Sequence, residues 1–328
     1  MSGSGTALPN IKQKITLGEF LRRYNIVVTF LAMMLVAVIA TKGSFFTGDN
    51  MLNVVERASI IGLVALGQGI VILTGGIDLS VNAVMDISFT SIAVLVYGGM
   101  SYSMAIVVAL LIGGVVGLVN GLLVIKTKIP AWLITLSTML IVNAIALWWS
   151  GTTEIRFGGL QDFINNLFGM DAATSRFFSG GVWILFGLLF AVLLGKTRFG
   201  LDIFFVGGGV RAAYLSGVRT DFVKVMVYVI SGLMAALAGI VLAYRVGSLN
   251  PASAEAYQLY SIAAVVLGGA NINGGEGSAF GTFFGAVVLA ILTNVLNIMQ
   301  VNIYIQNAIM GLLLVLIVFV ISVLSKRK

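Results

Sequence analysis

The chain has 328 residues and a formal net charge of +7, yet only 9% of it is Asp, Glu, Lys or Arg, while 59% is hydrophobic and the mean hydropathy is +1.08. A water-soluble domain needs a charged surface, so this composition excludes one and assigns most of the chain to a bilayer. Cysteine and histidine are both absent, which removes disulfides, thiolate and imidazole metal ligands and the side chain best suited to acid–base work near neutral pH, so no catalytic residue, metal or cofactor is expected.

Residues 1–24 are polar and basic and lack a small-residue cleavage site, so they read as a cytoplasmic N-terminal segment ahead of a retained helix. A helix crossing ~30 Å of hydrocarbon needs ~20 mostly apolar residues. Runs of that kind fall at roughly 25–41, 55–74, 82–98, 102–125, 131–150, 181–195, 223–246, 257–269, 279–298 and 304–325. They predict an all-α polytopic membrane protein with about ten transmembrane helices in one domain over 25–325, ending in a short C-terminal segment at 326–328. The runs at 181–195 and 257–269 are short, which calls for tilt, extension into the flanks or a broken helix. Forty glycines against three prolines suit helices that pack through small residues, because lipid gives them no hydrophobic reason to associate.

With an even number of spans the two ends lie on one side, and the lysines and arginines test that alternation. Placing the N-terminus inside puts 14 of the 19 there: Lys12, Lys14, Arg22, Arg23, Lys126, Lys128, Lys196, Arg198, Arg211, Arg219, Lys224, Lys326, Arg327 and Lys328. Lys42, Arg57, Arg156, Arg176 and Arg245 fall outside, together with Asp49, Glu56, Glu154, Asp162, Asp171 and Glu255. The bias predicts both termini in the cytoplasm and explains the positive charge without nucleic acid, for which clustered basic faces with interleaved aromatics are missing. The segment 151–180 then becomes the longest external loop, long enough for a surface helix or a docking surface.

Three segments carry unusual polar content. In Leu73-Thr74-Gly75-Gly76-Ile77-Asp78-Leu79-Ser80-Val81-Asn82, paired glycines and an acid separate two apolar runs, and Asp86 lies inside the second run. Asp78 and Ser80 read equally as caps of the following helix or as part of a discontinuous helix beside a permeation path. Asp86 must face protein or water, either along a path or in a hydrogen bond to a neighbouring Ser or Asn. Leu267-Gly268-Gly269-Ala270-Asn271-Ile272-Asn273-Gly274-Gly275-Glu276-Gly277-Ser278 has five glycines in twelve residues and echoes the first segment, the pattern of an internal repeat. No complete Gly-x4-Gly-Lys-Ser/Thr phosphate loop follows it or occurs elsewhere, since Gly195-Lys196-Thr197 has Phe190 where the first glycine would stand. The third segment, 196–222, is the longest cytoplasmic loop. Ala212, Ala213 and Leu215 permit a short helix ending near Gly217, suited either to a partner's groove or to an anionic membrane surface through Arg211 and Arg219. Gln68, Asn120, Asn143, Asn294 and Asn297 interrupt apolar runs, and each either bridges helices or lines a path.

Taken together, these segments resemble the permease subunit of ribose-type monosaccharide ABC importers, members of the branched-chain amino acid/ribose permease superfamily. The resemblance runs over nearly the whole chain. It rests on Gly67-Gln68 with Val71 to Val81, Gly121-Leu122-Leu123 with Ile129-Pro130-Ala131 and Thr135-Leu136, Thr197-Arg198-Phe199-Gly200, and Ala212-Ala213 with Leu215-Ser216-Gly217. Ile262 to Val266 with Gly268-Gly269 and Gly274-Gly275, and Gly281-Thr282 with Gly285, complete it. Gly209, Arg211, Asn82 and Glu276 depart from the family pattern, which usually has Asn, Glu, Gly and a basic or small residue there.

The resemblance implies a type II ABC importer-like permease fold in a bacterial cytoplasmic membrane, with three protein partners. These are a cytoplasmic ATP-binding subunit that hydrolyses the ATP, a periplasmic or extracellular sugar-binding protein, and a second permease chain in a homodimer or heterodimer. It makes 196–222 the ATPase-coupling element through Gly207, Gly209, Arg211, Ala212, Ala213, Leu215, Ser216, Gly217 and Arg219. Asp78, Ser80, Asn82, Asp86, Asn271 and Asn273 are the candidates for the translocation path or its gate. A nucleoside or branched-chain amino-acid permease, an ion-coupled secondary transporter relying on Asp86, and a membrane scaffold remain the alternatives.

Overall fold

The computed structural model describes residues 25–325 apart from 128, 158 and 172. The expectations for 1–24, Lys128 and 326–328 therefore lie outside the described residues. Among the described residues the regular structure is helical apart from one two-residue ladder. In order it forms α1 (Asn25–Thr41), α2 (Gly48–Leu73), α3 (Val81–Tyr97), α4 (Tyr102–Lys126), α5 (Ala131–Ser150), α6 (Leu160–Phe168) and α7 (Phe178–Lys196). Next come α8 (Arg198–Gly208), α9 (Val210–Leu215), α10 (Thr220–Val246), α11 (Glu255–Leu267), α12 (Ala279–Ile298) and α13 (Ile303–Ser325).

Local chemistry sets many of these boundaries. Thr47, Thr197 and Ser278 each accept a backbone N–H three residues ahead with their hydroxyls and so start α2, α8 and α12. The ends of α2 and α11 share one cap. Gly76 N–H donates to the Val71 carbonyl and Gly75 N–H to Ile72, as Ala270 N–H donates to Val265 and Gly269 N–H to Val266. Both caps need a residue at positive φ, and Gly75 and Gly269 supply it at +80° and +89°.

Among the described residues, six segments are long and apolar enough to cross a membrane: Gly48–Leu73, Tyr102–Lys126, Ala131–Ser150, Ser175–Lys196, Thr220–Val246 and Ala279–Ile298. Ile26–Thr41, Val81–Tyr97 and Ile303–Leu316 are shorter apolar helices, and α11 has only 13 residues. Burial separates the long helices into two classes. The apolar windows of α2, α10 and α12 are 83%, 67% and 72% buried, so they form the interior, while those of α4 and α5 are 28% and 22% buried and face outward.

Helices α2 and α10 lie side by side at the centre, and the packing around them repeats. Helix α10 packs on α3 and α4 as α2 packs on α11 and α12, α3 packs on α4 and α5, and α11 on α12 and α13. This correspondence matches residues 74–80 with 247–254, not with 268–278. The echo between the two Gly-Gly segments is thus shared cap chemistry and not the repeat itself.

Glycine supplies the tightest contacts, as its abundance suggests. Gly113, Gly117 and Gly121 face α10, where an added Cβ at Gly117 would lie 2.2 Å from the Tyr228 carbonyl oxygen. Gly281 and Gly285 seat α12 on α11 in the same way, a Cβ at Gly285 falling 2.0 Å from the Ala264 carbonyl oxygen. Helix backbones approach closely at such sites and gain dispersion contact that lipid cannot displace.

At one end of the bundle, β1 (Ile155–Arg156) pairs antiparallel with β2 (Ser248–Leu249), and α6 forms the surface helix within 151–180. Tyr244 donates to Asn165 Oδ1 at 2.8 Å, and a half-buried ion pair joins Arg245 to Glu56 at 2.8 Å. At the other end, 196–222 is not a single loop. It holds two helices, because Thr197 caps α8 and Ile203 and Val206 bury one side of it.

Candidate functional site

The segment joining α2 to α3 folds into the protein instead of crossing its surface. Asp78 is 1% exposed, and its Oδ1 accepts from Ser80 N–H at 2.9 Å and Ser80 Oγ at 2.6 Å. Its Oδ2 accepts from Ser231 of α10 at 2.9 Å. Asn120 of α4 donates to Ser80 Oγ at 2.9 Å, and Thr135 of α5 accepts from Leu79 N–H at 3.0 Å and donates to the Ile77 carbonyl at 3.2 Å. Three helices thereby hold one irregular turn, satisfying backbone groups that would be costly to bury unpaired. Ser80 occupies the N-cap position of α3 without a side-chain cap bond, so neither it nor Asp78 caps the helix in the ordinary way.

Asp86 lies apart from this cluster. Its Oδ1 accepts the N–H of Ala254, the residue before α11, at 3.1 Å. The partner is a backbone amide 168 residues away and not a neighbouring Ser or Asn. The carboxyl group therefore ties the middle of α3 to the start of α11. Asn82, Asp86 and Thr90 follow one another at four-residue spacing, all buried, and Asn82 Oδ1, Asp86 Oδ2 and Thr90 Oγ1 have no hydrogen-bond partner among the described residues. These positions share one face of α3.

Of the amides within apolar runs, Asn294 forms a reciprocal pair with Asn50, at 2.8 and 3.0 Å, and Asn297 accepts from Gln306 at 3.0 Å. Those two bridge helices, as does Asn120. Gln68 is buried with neither amide atom partnered among the described residues.

Asn271 and Asn273 are in the turn after α11, where Asn271 Oδ1 accepts the Asn273 N–H at 3.0 Å and Asn273 is exposed. This turn sits against the first one, since Gly275 N–H donates to the Leu73 carbonyl at 2.9 Å. Gly207, near the end of α8, completes the contact: an added Cβ there would lie 1.8 Å from Leu73 O and 2.4 Å from Gly275 N. All three segments singled out by composition thus touch at one place.

Beyond Gly207, α9 buries Ala213 and exposes Arg211, Ala212, Tyr214 and Leu215, the last two at 69% and 78%. Gly217 closes the helix at φ +84°, where Val218 N–H donates to the Ala213 carbonyl. Beside it, Arg198, Asp202, Ser216, Gly217, Arg219 and Phe222 border a cleft of about 340 Å³, with the Arg219 guanidinium 5.1 Å from the Phe222 ring centre. Sequence reasoning missed Ser231 and Tyr214. A hydroxyl in an apolar run was the available signal for the first, and an aromatic beside Leu215 for the second.

A short helix with an exposed apolar tip thus stands beside a turn hydrogen-bonded into the bundle. The family model described as branched-chain amino acid transport system / permease component matches residues 50–318. The chain belongs to this permease family. The ribose import permease protein of Bacillus subtilis (strain 168) is 36% identical over 301 residues, covering 91% of this chain and 92% of that relative. The ribose import permease protein of Escherichia coli (strain K12) is 33% identical over 88% of this chain and 90% of its own length. The D-allose transport system permease protein of the same strain is 32% identical over 86% of each. No solved structure matches. The protein is a multi-pass membrane permease, a transport subunit and not an enzyme.

Proposed function

We propose that this permease forms the translocation path of an ATP-driven importer of a monosaccharide. The observation that carries the reading is the similarity, over about nine-tenths of the chain, to proteins named as ribose import permeases, with D-allose, fructose and xylose permeases also matching. Ten helices cross the bacterial cytoplasmic membrane: α1 to α5, α7 and α10 to α13, within a single domain over 25–325. Both termini and the α8–α9 segment are cytoplasmic, and 151–180 is external. A separate ATP-binding subunit receives α9, a sugar-binding protein delivers solute to the external face, and a second permease chain completes the path. Asp78, Ser80, Asn82, Asp86, Asn271 and Asn273 contribute polar groups to the path or its gate.

The exposed Arg211, Tyr214 and Leu215 support this placement of the ATPase, since an apolar tip with one cation suits a groove with an acidic rim. Arg211, where the family pattern has an acid, sets the charge that the partner must complement. Co-purification of the tagged permease with its cognate ATPase tests the reading. Wild type retains the ATPase, and Arg211→Glu and Leu215→Asp lose it. An undiminished complex in both variants would count against it.

A further inference from the structure

The glycine contact between Gly207, Leu73 and Gly275 has a geometry suited to one task. We propose that it is a rigid joint passing displacement of α8–α9 directly to α2, with Gly207 as its positioning residue. The inference rests on the reading of α9 as the ATPase-coupling helix and names the route inward from it.

The contact is made by backbone. Gly275 N–H donates to Leu73 O at 2.9 Å, and the Gly207 Cα lies against both groups, so that even a methyl there would lie 1.8 Å from the oxygen. A Cβ on Gly274 would lie 2.8 Å from Gly75 N and 3.1 Å from Gly207 Cα, and one on Gly275 would lie 3.1 Å from Gly208 N. Side-chain interfaces absorb small movements by changing rotamers. Backbone in contact with backbone has no rotamer to change, so a shift on one side must appear on the other.

What lies on each side of the joint fits transmission. Helices α8 and α9 pack on each other, and Ile203, Val206 and Ala213 are buried. The two therefore move together as a short lever. Leu73 is the last residue of α2, whose 26 residues span about 39 Å at 1.5 Å per residue. At the far end of α2, Glu56 holds Arg245 and Asn50 holds Asn294, which places movement of Leu73 in register with the opposite face of the bundle. The turn beyond Leu73 is fixed to α10 through Asp78 and Ser231, so α2 and α10 receive the displacement together.

The test uses the complete transporter of permease, ATPase and binding protein in proteoliposomes, with ATP hydrolysis and labelled ribose uptake measured on the same preparation. Gly207→Ala is expected to keep hydrolysis and lower sugar moved per ATP at least tenfold. Gly208→Ala, whose added Cβ meets nothing within 4 Å, is expected to keep the wild-type ratio. A wild-type ratio in assembled Gly207→Ala would overturn the joint while leaving the coupling reading intact; wild-type uptake independent of ATP would overturn both. Should Gly207→Ala fail to assemble, spin labels on Gly208→Cys, where an added Cβ meets nothing within 4 Å, and on the exposed Glu276→Cys in this cysteine-free chain decide the matter with the glycine joint intact. A rigid joint keeps one distance between the labels with and without ATP, and a distance that changes on ATP binding would overturn it.

Discussion

Replacing Asp78 perturbs the turn that organises the cluster, and the structure sets the size of the effect. Asp78 accepts three hydrogen bonds, two from Ser80 and one from Ser231. A hydrogen bond contributes about 1 kcal/mol net, so Ser231→Ala should destabilise by about 1 kcal/mol. Asp78→Ala removes all three acceptor contacts and leaves the Ser80 N–H buried, for a cost of about 3 kcal/mol. The double variant should resemble Asp78→Ala alone, because the Ser231 contribution is already lost, which gives a coupling energy of about 1 kcal/mol. Asp78→Asn keeps an acceptor for Ser80, and the Ser231 hydroxyl can rotate to accept from the new amide, so its cost should stay below about 1 kcal/mol. Reversible unfolding of the purified chain in mixed micelles, followed by tryptophan fluorescence, measures the four variants. Asp78→Ala within about 0.5 kcal/mol of wild type, or strict additivity in the double variant, would refute the account of the turn.

Thr135→Val should destabilise by about 1–3 kcal/mol in the same assay, because it keeps the shape but orphans the Leu79 N–H, and Thr135→Ser should restore most of that loss. Gly117→Ala should weaken the α4–α10 seam by about 1–3 kcal/mol through overpacking against the Tyr228 carbonyl, whereas Gly181→Ala, with nothing within 4 Å, should be silent; equal unfolding of the two would contradict the packing. Gly62→Ala drives a Cβ to 2.0 Å from Trp183 Nε1 and should disturb the stacking of Trp183 on Phe283, visible in tryptophan fluorescence. In the external segment, the Thr174 hydroxyl and then its N–H hold the Asp171 carboxyl below its ordinary range. The sign follows from linkage: a lowered folded-state value stabilises this turn above the ordinary carboxylate range, and that contribution disappears as pH falls through the lowered value. A carboxyl-carbon titration should show Asp171 moving back toward the ordinary range in Thr174→Val, and an unchanged titration would contradict the assignment.

The helical architecture was legible because apolar run length follows from the bilayer itself. Its limits have physical causes. Arg198–Gly208 is too short for a span and lies beside a glycine triplet, so it read as loop, although Thr197 caps it and the bundle buries one side. The glycine echo pointed to a repeat, yet identical caps arise wherever an apolar helix must stop sharply, and the real correspondence appears only in which helices pack together. Asp78 and Ser80 stood out because acids and hydroxyls are rare here. Their partners Ser231, Asn120 and Thr135 come from three other helices, and no local pattern links them. The Ala254 amide that binds Asp86 has no side-chain signature at all.

ATP-dependent uptake by proteoliposomes of a labelled monosaccharide from a panel of ribose, D-allose, fructose and xylose is the most direct test of the claim that this chain is the path of an ATP-driven sugar importer. The account predicts uptake only when permease, ATPase and binding protein are all present and ATP is supplied on the ATPase side, and none when any one is omitted. Accumulation of any of these sugars by the permease alone, driven by an imposed ion gradient without ATP, would contradict it.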